Sequence, residues 1–254
     1  MRFCQVLQGD MSMMDHASAL YDKKCSCLHC GTAFTTKRVR SGALAMLKRD
    51  SDFCTYYKEH SLNPIRYTVA VCPQCGFAFT DQFAPRLSPA HKKLVAERIA
   101  AKWTRKDLGA ERSPAEAIAA YKLAIYAAEL TGQAHSVKAG LYLRLAWLYR
   151  FEGDAEEQRC LQQAVDEYEQ SYIHSDYALG DKDMSEVRLL YLIGELMRRV
   201  GKYDKAIHYF SKVLGFRGRT IETGMLQMAQ DQWAQARDEH KRQQQKREQP
   251  TAVD

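Results

Sequence analysis

Apolar side chains recur at helical spacing through most of the chain after residue 84. The same stretch is rich in Ala, Leu, Glu, Lys and Gln, which are compatible with helices. Ser113 followed by Pro114 is typical of a helix start. Gly153 and Gly201 stand where helices should stop. We predict seven helices, near residues 90–107, 114–130, 136–152, 154–174, 184–200, 203–214 and 222–246.

Residues before 84 show little helical periodicity and many β-forming side chains. Tyr67, Val69 and Val71 alternate with other residues, as in a half-buried strand. We predict three strands, at residues 32–40, 66–71 and 77–80. The expected fold class is α+β and mostly α, with an N-terminal zinc ribbon, argued below, followed by an all-α helical array.

One helical pair, at residues 187–218, fits a tetratricopeptide unit, which is a repeat of two antiparallel helices. Gly194 and Ala206 put small residues where the two helices approach most closely. Residues 139–166 and 115–128 match parts of the same pattern, at a longer spacing than the usual period. We therefore expect a degenerate, tetratricopeptide-like array.

An array of this kind has a concave groove, and an aromatic residue flanked by arginines faces it in two successive repeats. Trp and Arg are enriched at binding hot spots, and a guanidinium can hold a carboxylate with two hydrogen bonds. We therefore expect a protein partner or an acidic peptide in the groove. The alternative is that Trp147 and Tyr191 simply pack between repeats. The predicted partner-binding residues are Arg144, Trp147, Arg150, Arg188, Tyr191 and Arg198.

Two Cys-x-x-Cys-Gly motifs mark a metal site, with Cys27 and Cys30 in the first and Cys72 and Cys75 in the second. Two intervening residues let both thiolates reach one ion about 2.3 Å away, and the glycine lets the backbone turn toward the sulfurs. Two such knuckles between strands make a zinc ribbon, so we expect one structural zinc ion with four thiolate ligands. The 41 residues between the knuckles exceed the usual number, about 15–20. A long insertion, residues 37–64, must therefore loop out from the ribbon.

Other cysteines compete as ligands. Cys25 would share a strand face with Cys27, and Cys54 lies in the insertion. A redox role needs a Cys-x-x-Cys that opens a helix after a strand, and neither pair has that context. A catalytic zinc ion needs an open coordination position, which four cysteines would close. We therefore expect no enzyme activity, and Asp50 and Asp52 are the only acidic candidates beside a metal.

The charge distribution offers a second function. The 254 residues carry a net charge of +6, too small to argue for nucleic-acid binding by itself. Residues 21–80 hold nine basic and four acidic side chains, a difference of +5, which a zinc ion with four thiolates lowers to about +3. Nucleic-acid binding by this basic ribbon is the alternative function. The simpler interpretation is a solvated basic face in which Asp50 and Asp52 pair with neighbouring arginines. A metal-dependent enzyme is the weakest of the hypotheses.

The N-terminal residues do not fit a secretory signal, because their apolar run is short and Asp10 and Asp15 follow it. No stretch is apolar enough to predict a membrane span. We therefore expect a cytoplasmic protein with reduced cysteines and no membrane partner. The predicted division of the chain is a flexible tail at 1–20, a zinc-ribbon domain with its insertion at 21–84, a tetratricopeptide-like domain at 85–235 and a charged tail at 236–254.

Several stretches carry a family resemblance, and they span nearly the whole chain after residue 20. They read YDKKCSCLHCGTAFTTKRVRS, RDSDFCTYY, NPIRYTVAVCPQCGFAFTDQF, AIAAYKLAIYAA, LRLAWLYR, LLYLIGELMRRVGKYDKAIHYFSKV and MAQDQWAQAR. Together they resemble the bacterial domain-of-unknown-function 2225 family. The resemblance implies a cysteine-bound metal followed by a tetratricopeptide-like helical domain, and it implies no activity. Such proteins more often carry an aliphatic residue at Cys25, so the resemblance favours a ligand set without that cysteine.

Overall fold

The computed structural model describes residues 19–180 and 184–248, so nearly all of the tail predicted at 1–20 lies outside the described residues. The strands of these ranges all come before residue 80 and are short. They are β1 (Leu20–Ser26), β2 (Ala33–Val39), β3 (Met46–Arg49), β4 (Thr55–Tyr57), β5 (Ala70–Val71) and β6 (Ala78–Phe79). They pair as three separate antiparallel hairpins, β1 with β2, β3 with β4 and β5 with β6.

Helices fill the chain from residue 89 onward, close to the spans predicted from the sequence. They are α1 (Pro89–Arg98), α2 (Pro114–Leu130), α3 (His135–Glu152), α4 (Glu156–His174), α5 (Tyr177–Gly180), α6 (Glu186–Arg199), α7 (Tyr203–Leu214) and α8 (Thr223–Glu248). Helix α8 continues through residues 236–248, which the sequence assigned to a tail, and residues 249–254 lie outside the described part.

The predicted fold class, α+β and mostly α, is confirmed: small antiparallel hairpins bearing a cysteine cluster precede a helical array. One hydrophobic core joins the two parts, because Phe77 and Cys72 belong to the same buried cluster as Tyr121 on α2 and Phe210 on α7. The hairpins and the array therefore stabilise one another. Within the described residues, no helix combines the length and the apolar character needed to cross a membrane.

The strand predicted at residues 66–71 is wrong over most of its length. Pro64–Tyr67 form a 3₁₀ turn, and only Ala70–Val71 pair as a strand. Asn63 starts this turn, because its side-chain oxygen accepts a hydrogen bond from the amide two residues later at 3.2 Å, and the proline fixes its own φ. The segment 69–72 is buried on both of its faces, so the alternation of apolar residues did not mark a half-buried strand.

The first predicted helix, 90–107, is also shorter than expected and ends at Arg98, before a 3₁₀ turn at Ala100–Lys102. Trp103 follows in extended conformation, and its indole Nε1 donates a hydrogen bond to the Pro73 carbonyl at 3.0 Å. Its ring lies so close to Gly76 that a side chain at that glycine would overlap it. A continuing helix would not place the indole on the second knuckle, so this tertiary contact outweighs helix propensity.

Helices α6 and α7 form the pair that fits the repeat pattern best. Gly194 on α6 faces the ring of Phe210 on α7, and a Cβ atom at the glycine would lie 2.9 Å from that ring. Phe210 and Ala206 are fully buried in this seam. The small residues named from the sequence therefore lie at the close approach of the two helices.

We expect Gly194→Ala to lower the free energy of unfolding by up to about 2 kcal/mol, because overpacking a buried seam costs about 1–3 kcal/mol and the gain in helix propensity returns about 1 kcal/mol. Gly224→Ala is the matched control, since this α8 glycine has open space around it. Urea melts of both variants test the prediction. A Gly194→Ala protein as stable as the control would contradict the close packing of this pair.

Candidate metal centre and array groove

Two hairpins present the four cysteines of the predicted metal site. Cys27 and Cys30 lie in the turn between β1 and β2, and Cys72 and Cys75 in the turn between β5 and β6. Both turns close with the same hydrogen bond at 2.9 Å, from the amide of the glycine after the second cysteine to the carbonyl of the first cysteine. The two glycines have φ values of 75° and 71°, a conformation that side-chain-bearing residues rarely adopt.

The four sulfur atoms lie within 4.8 Å of one another. Cys27 Sγ is 3.6 Å from Cys75 Sγ, and Cys30 Sγ is 3.7 Å from Cys72 Sγ. A tetrahedral ion with metal–sulfur bonds of about 2.3 Å needs sulfur atoms about 3.8 Å apart. The cluster could therefore hold a metal ion with little movement.

The thiols of this cluster differ in acidity. The hydrogen bond with Cys75 lowers the pKa of Cys27 to about 5, against the opposing effect of burial. The same hydrogen bond raises the pKa of Cys75, and burial raises the pKa of Cys72 to about 11. Metal binding requires thiolates, so the ligands release protons as they bind.

The cluster is covered on most sides. Cys27, Cys72 and Cys75 are buried, whereas Cys30 is exposed. Trp103 covers the second knuckle through its hydrogen bond to the knuckle backbone. Four sulfur ligands leave no open coordination position, so the arrangement suits a structural ion and not a catalytic one.

The competing cysteines lie elsewhere. Cys25 is half-buried on β1, opposite Phe34 on β2, and is not part of the four-sulfur cluster. Cys54 is buried at the far end of the insertion, where burial raises its pKa to about 12. Cys160 is buried on α4. Among the described residues, the metal-ligand geometry is found only at the two knuckles.

The insertion departs from the ribbon as expected, but it then packs on the helical array. Strands β3 and β4 form a hairpin, and residues 50–54 make its tip, which we name the hairpin tip. Asp52 in this tip is fully buried. Its Oδ2 atom accepts hydrogen bonds from Arg150 Nη2 at 2.6 Å and from Trp147 Nε1 at 3.1 Å, and Arg150 Nη1 lies 3.1 Å from its Oδ1 atom.

The charged surroundings of Asp52 outweigh its burial. Burial alone would raise the pKa of this carboxyl, but hydrogen bonding to Arg150 and the charge of Arg199, 3.6 Å away, hold the pKa below its usual value. Arg150 also contacts Asp50 at 3.2 Å and Glu157 at 2.7 Å. Asp52 is therefore ionised at neutral pH and ion-paired with Arg150 on α3 and Arg199 on α6.

Ser51 connects the hairpin tip to helix α6. Its carbonyl accepts a hydrogen bond from the Tyr191 hydroxyl at 2.8 Å, and its own hydroxyl donates to Glu195 Oε1 at 2.6 Å. Arg199 Nη2 lies 3.1 Å from the same serine hydroxyl. We name the surface formed by Trp147, Arg150, Tyr191, Glu195 and Arg199 the groove, and the chain's own hairpin tip lies on it.

The six predicted partner-binding residues divide into three groups. Trp147, Arg150 and Tyr191 bind the tip directly, and the guanidinium of Arg188 lies 5.0 Å from the ring of Phe53. Arg198 pairs with two glutamates, Glu195 on its own helix and Glu239 on α8. Arg144 donates to the Gly140 carbonyl of its own helix. Binding of a separate partner by these residues stays a prediction.

Sequence reasoning did not find the role of the hairpin tip. The stretch RDSDFC indicated paired aspartates, but the Arg150 that binds them lies about 100 residues later in the chain. The structure adds a second feature of the tip, at the aromatic residue Phe53. Its φ of 69° lies in the left-handed region, where residues with side chains are strained. Such strain persists only where surrounding contacts enforce it, here those with Arg188 and Tyr191.

Arg112 is a further residue that the sequence did not single out. It is buried between the ribbon and the array, and it donates hydrogen bonds to the carbonyls of Leu108, Arg66 and Val69 at 2.7, 3.1 and 2.8 Å. Burial lowers its pKa to about 10. This side chain fixes the segment before the second knuckle to the start of the array.

The basic face of the ribbon is neutralised in part by neighbouring acids. Lys23 and Arg38 contact Asp81 at 2.6 and 3.7 Å, and Lys37 contacts Asp22 at 3.0 Å. In the hairpin, Lys48 contacts Asp50 at 3.3 Å. Four of the nine basic residues counted in this region are thus ion-paired.

Fold and site together define a class of protein. In this class a ribbon with four clustered cysteines carries an insertion that packs on a helical array. The chain belongs to the family described as an uncharacterized protein conserved in bacteria (DUF2225), which matches residues 20–236. The family resemblance seen in the sequence is thereby confirmed. No curated protein and no solved structure matches the chain.

Proposed function

We propose that this chain is a cytoplasmic zinc-binding protein that binds a partner protein on its helical array. Zinc is the proposed metal because a closed set of four thiolates is typical of structural zinc sites. The cytoplasm is the proposed location because reduced thiols persist there. The proposed role of the ion is to hold the two knuckles together, and with them the ends of the insertion.

A surface cavity beside the hairpin tip carries the proposal of partner binding. This tip cavity has a volume of about 360 Å³. Two arginines, Arg49 and Arg188, line it without an ion pair to any described residue, although Glu222 also lines the cavity. Its apolar lining comes from Phe53, Met225 and Met228.

Arginine, methionine and aromatic side chains are the types enriched at protein interfaces, and methionine adapts its shape to different partners. Guanidinium groups without ion pairs favour carboxylates. The tip cavity therefore suits a protein segment that carries acidic and apolar side chains. We propose this function over nucleic-acid binding, because four of the ribbon's nine basic side chains are ion-paired with acids. We propose no enzyme activity, because Asp50 and Asp52 are both bound to Arg150.

Affinity purification of the tagged chain from its host, with and without nuclease, tests the proposal. We expect protein partners that survive nuclease treatment and that are lost from the double variant Arg49→Gln with Arg188→Gln. Arg98→Gln with Arg105→Gln is the matched control, since both of these arginines are exposed and neither lines the cavity. Partners that depend on nucleic acid would favour the alternative function, and a folded cavity variant that keeps every partner would exclude the tip cavity.

A further inference from the structure

We propose that the groove is a binding site for a short acidic segment of a partner protein, in which an aspartate is followed directly by an aromatic residue. The hairpin tip, Asp50-Ser51-Asp52-Phe53-Cys54, occupies this site as an internal competitor. The inference rests on the proposed function, since it names the chemistry of the partner segment. It goes further in assigning the groove itself, and not only the neighbouring cavity, to that segment.

The contacts of the tip show what the groove recognises. The carboxylate of Asp52 receives two hydrogen bonds from the Arg150 guanidinium and one from the Trp147 indole. A bidentate guanidinium with an indole donor selects a planar carboxylate over an amide or a hydroxyl. An aspartate of a partner segment would find the same three donors.

The next residue of the tip supplies an aromatic ring. Phe53 lies 5.6 Å from the ring of Tyr191 and under the guanidinium of Arg188. A cation over an aromatic face and a tilted aromatic pair each favour an aromatic residue at this position. The Tyr191 hydroxyl binds the main-chain carbonyl of Ser51, a contact that any peptide can make. The groove therefore recognises three features of a bound segment, which are an aspartate carboxylate, an aromatic ring and one backbone carbonyl.

The arginines of the groove keep ion-pair partners when the tip leaves. Arg150 keeps Glu157 as an ion-pair partner at 2.7 Å, and Arg199 keeps Glu195 at 2.7 Å. Removing one member of a buried ion pair is costly when the other charge is left alone. Here neither arginine would be left alone, so an open groove is an accessible state.

The strands of the hairpin that carries the tip are exposed or half-buried, so the tip supplies most of the hairpin's contacts with the array. Every residue of β3 is exposed, and a two-stranded hairpin is marginally stable in water by itself. Its packing on the array comes from the tip and from Tyr56, whose ring lies 5.2 Å from that of Phe151. The left-handed conformation of Phe53 adds strain that is released when the tip leaves. Opening of the hairpin therefore depends on exchanging the contacts of the tip for those of a competing segment.

The test measures peptide binding to a protein whose tip has lost its two anchors. The variant Asp52→Ser with Phe53→Gly keeps the chain length and allows the positive φ. The probe is a fluorescein-labelled peptide of residues 48–57 carrying Cys54→Ser, and fluorescence anisotropy reports its binding. We expect the variant to bind the probe at least about tenfold more tightly than the wild type does, because its groove is no longer occupied.

Three controls make the comparison specific. A probe with asparagine for its second aspartate should bind the variant at least about tenfold more weakly. Adding Trp147→Phe to the variant should weaken binding of the original probe, because an indole donor is lost. The protein variant Met46→Ser with Leu47→Ser changes only exposed side chains of β3 and should bind the probe as weakly as the wild type. Circular dichroism verifies that each variant is folded.

A folded double variant that binds the probe no better than the wild type overturns the inference. Equal binding of the asparagine probe also overturns it. If the double variant does not fold, Asp52→Asn gives the same comparison, and no gain in affinity there counts against the inference. A wild-type dimer that dissociates in the variant would show a second copy's tip as the occupant and would overturn the assignment to a partner. A partner captured through the tip cavity while the peptide fails to bind would leave the proposed function intact.

Discussion

Replacing Cys72 with serine is expected to abolish binding of the proposed zinc ion and to unfold the ribbon. Elemental analysis should give about one zinc ion per wild-type chain and almost none for Cys72→Ser. Structural zinc sites contribute about 10–16 kcal/mol of binding free energy, which becomes folding free energy because the unfolded chain has no site. The paired hairpins around the knuckles are short, so they depend on the ion.

The matched control is Cys25→Ser, which alters a half-buried cysteine outside the four-sulfur cluster. This variant should keep its zinc and melt close to the wild type, with a loss of at most about 1 kcal/mol. Loss of zinc from Cys25→Ser would make this cysteine a ligand. Wild-type protein that is purified without metal, yet protects the amides of β1 and β2 from hydrogen exchange, would contradict the dependence on zinc.

The second large effect is expected for Arg150→Leu. Asp52 would remain fully buried, with Trp147 and the more distant Arg199 as its remaining partners. Removing one partner from a buried ion pair costs about 3–5 kcal/mol, so urea melts at pH 7 should show a loss of that size. Arg159→Leu is the control, because its pair with Glu156 is exposed and contributes less than about 1 kcal/mol.

The loss of unfolding free energy caused by Arg150→Leu should depend on pH. In the wild type the pKa of Asp52 lies below its unfolded value, so its favourable contribution is present above about pH 4 and is lost as the pH falls through the lowered folded-state pKa. In the variant, burial without Arg150 raises the pKa of Asp52, and protonation relieves the penalty. The stability difference between the two proteins should therefore shrink between pH 7 and pH 4. A difference that stays constant over this range would mean that Asp52 is not the group responsible.

Local sequence patterns predicted those parts of the molecule that local chemistry determines. The knuckle glycines, Gly31 and Gly76, and the paired cysteines fix their turns within five residues, so the metal centre could be located without a structure. The helices follow apolar periodicity and their capping residues, such as Ser113, whose side chain accepts a hydrogen bond from the Glu116 amide. The close packing of α6 on α7 was predictable because Gly194 is small.

Contacts between residues distant in sequence account for what was missed. The indole of Trp103 ends the first helix early because it binds a knuckle 30 residues before it. The insertion was expected to extend from the ribbon, and nothing in its own alternation of residues indicates that Asp52 fits between Arg150 and Trp147. That fit depends on the shapes of two folded units. Arg150 was predicted as a groove residue from repeat geometry, whereas Arg199 and the segment that contacts both arginines were not.

The metal centre also sets the local concentration of the hairpin tip at the groove. The 41 residues between Cys30 and Cys72 form a loop whose two ends are held by the same four-sulfur cluster. A loop that is tethered at both ends in this way gives the hairpin tip an effective concentration of order millimolar at the groove. A free segment in solution must exceed that concentration, or bind correspondingly more tightly, to displace the tip. A partner protein that also binds the array side of the tip cavity, at Arg188, Met225 and Met228, has its own tether, so it reaches the groove at cellular concentrations where an isolated peptide does not.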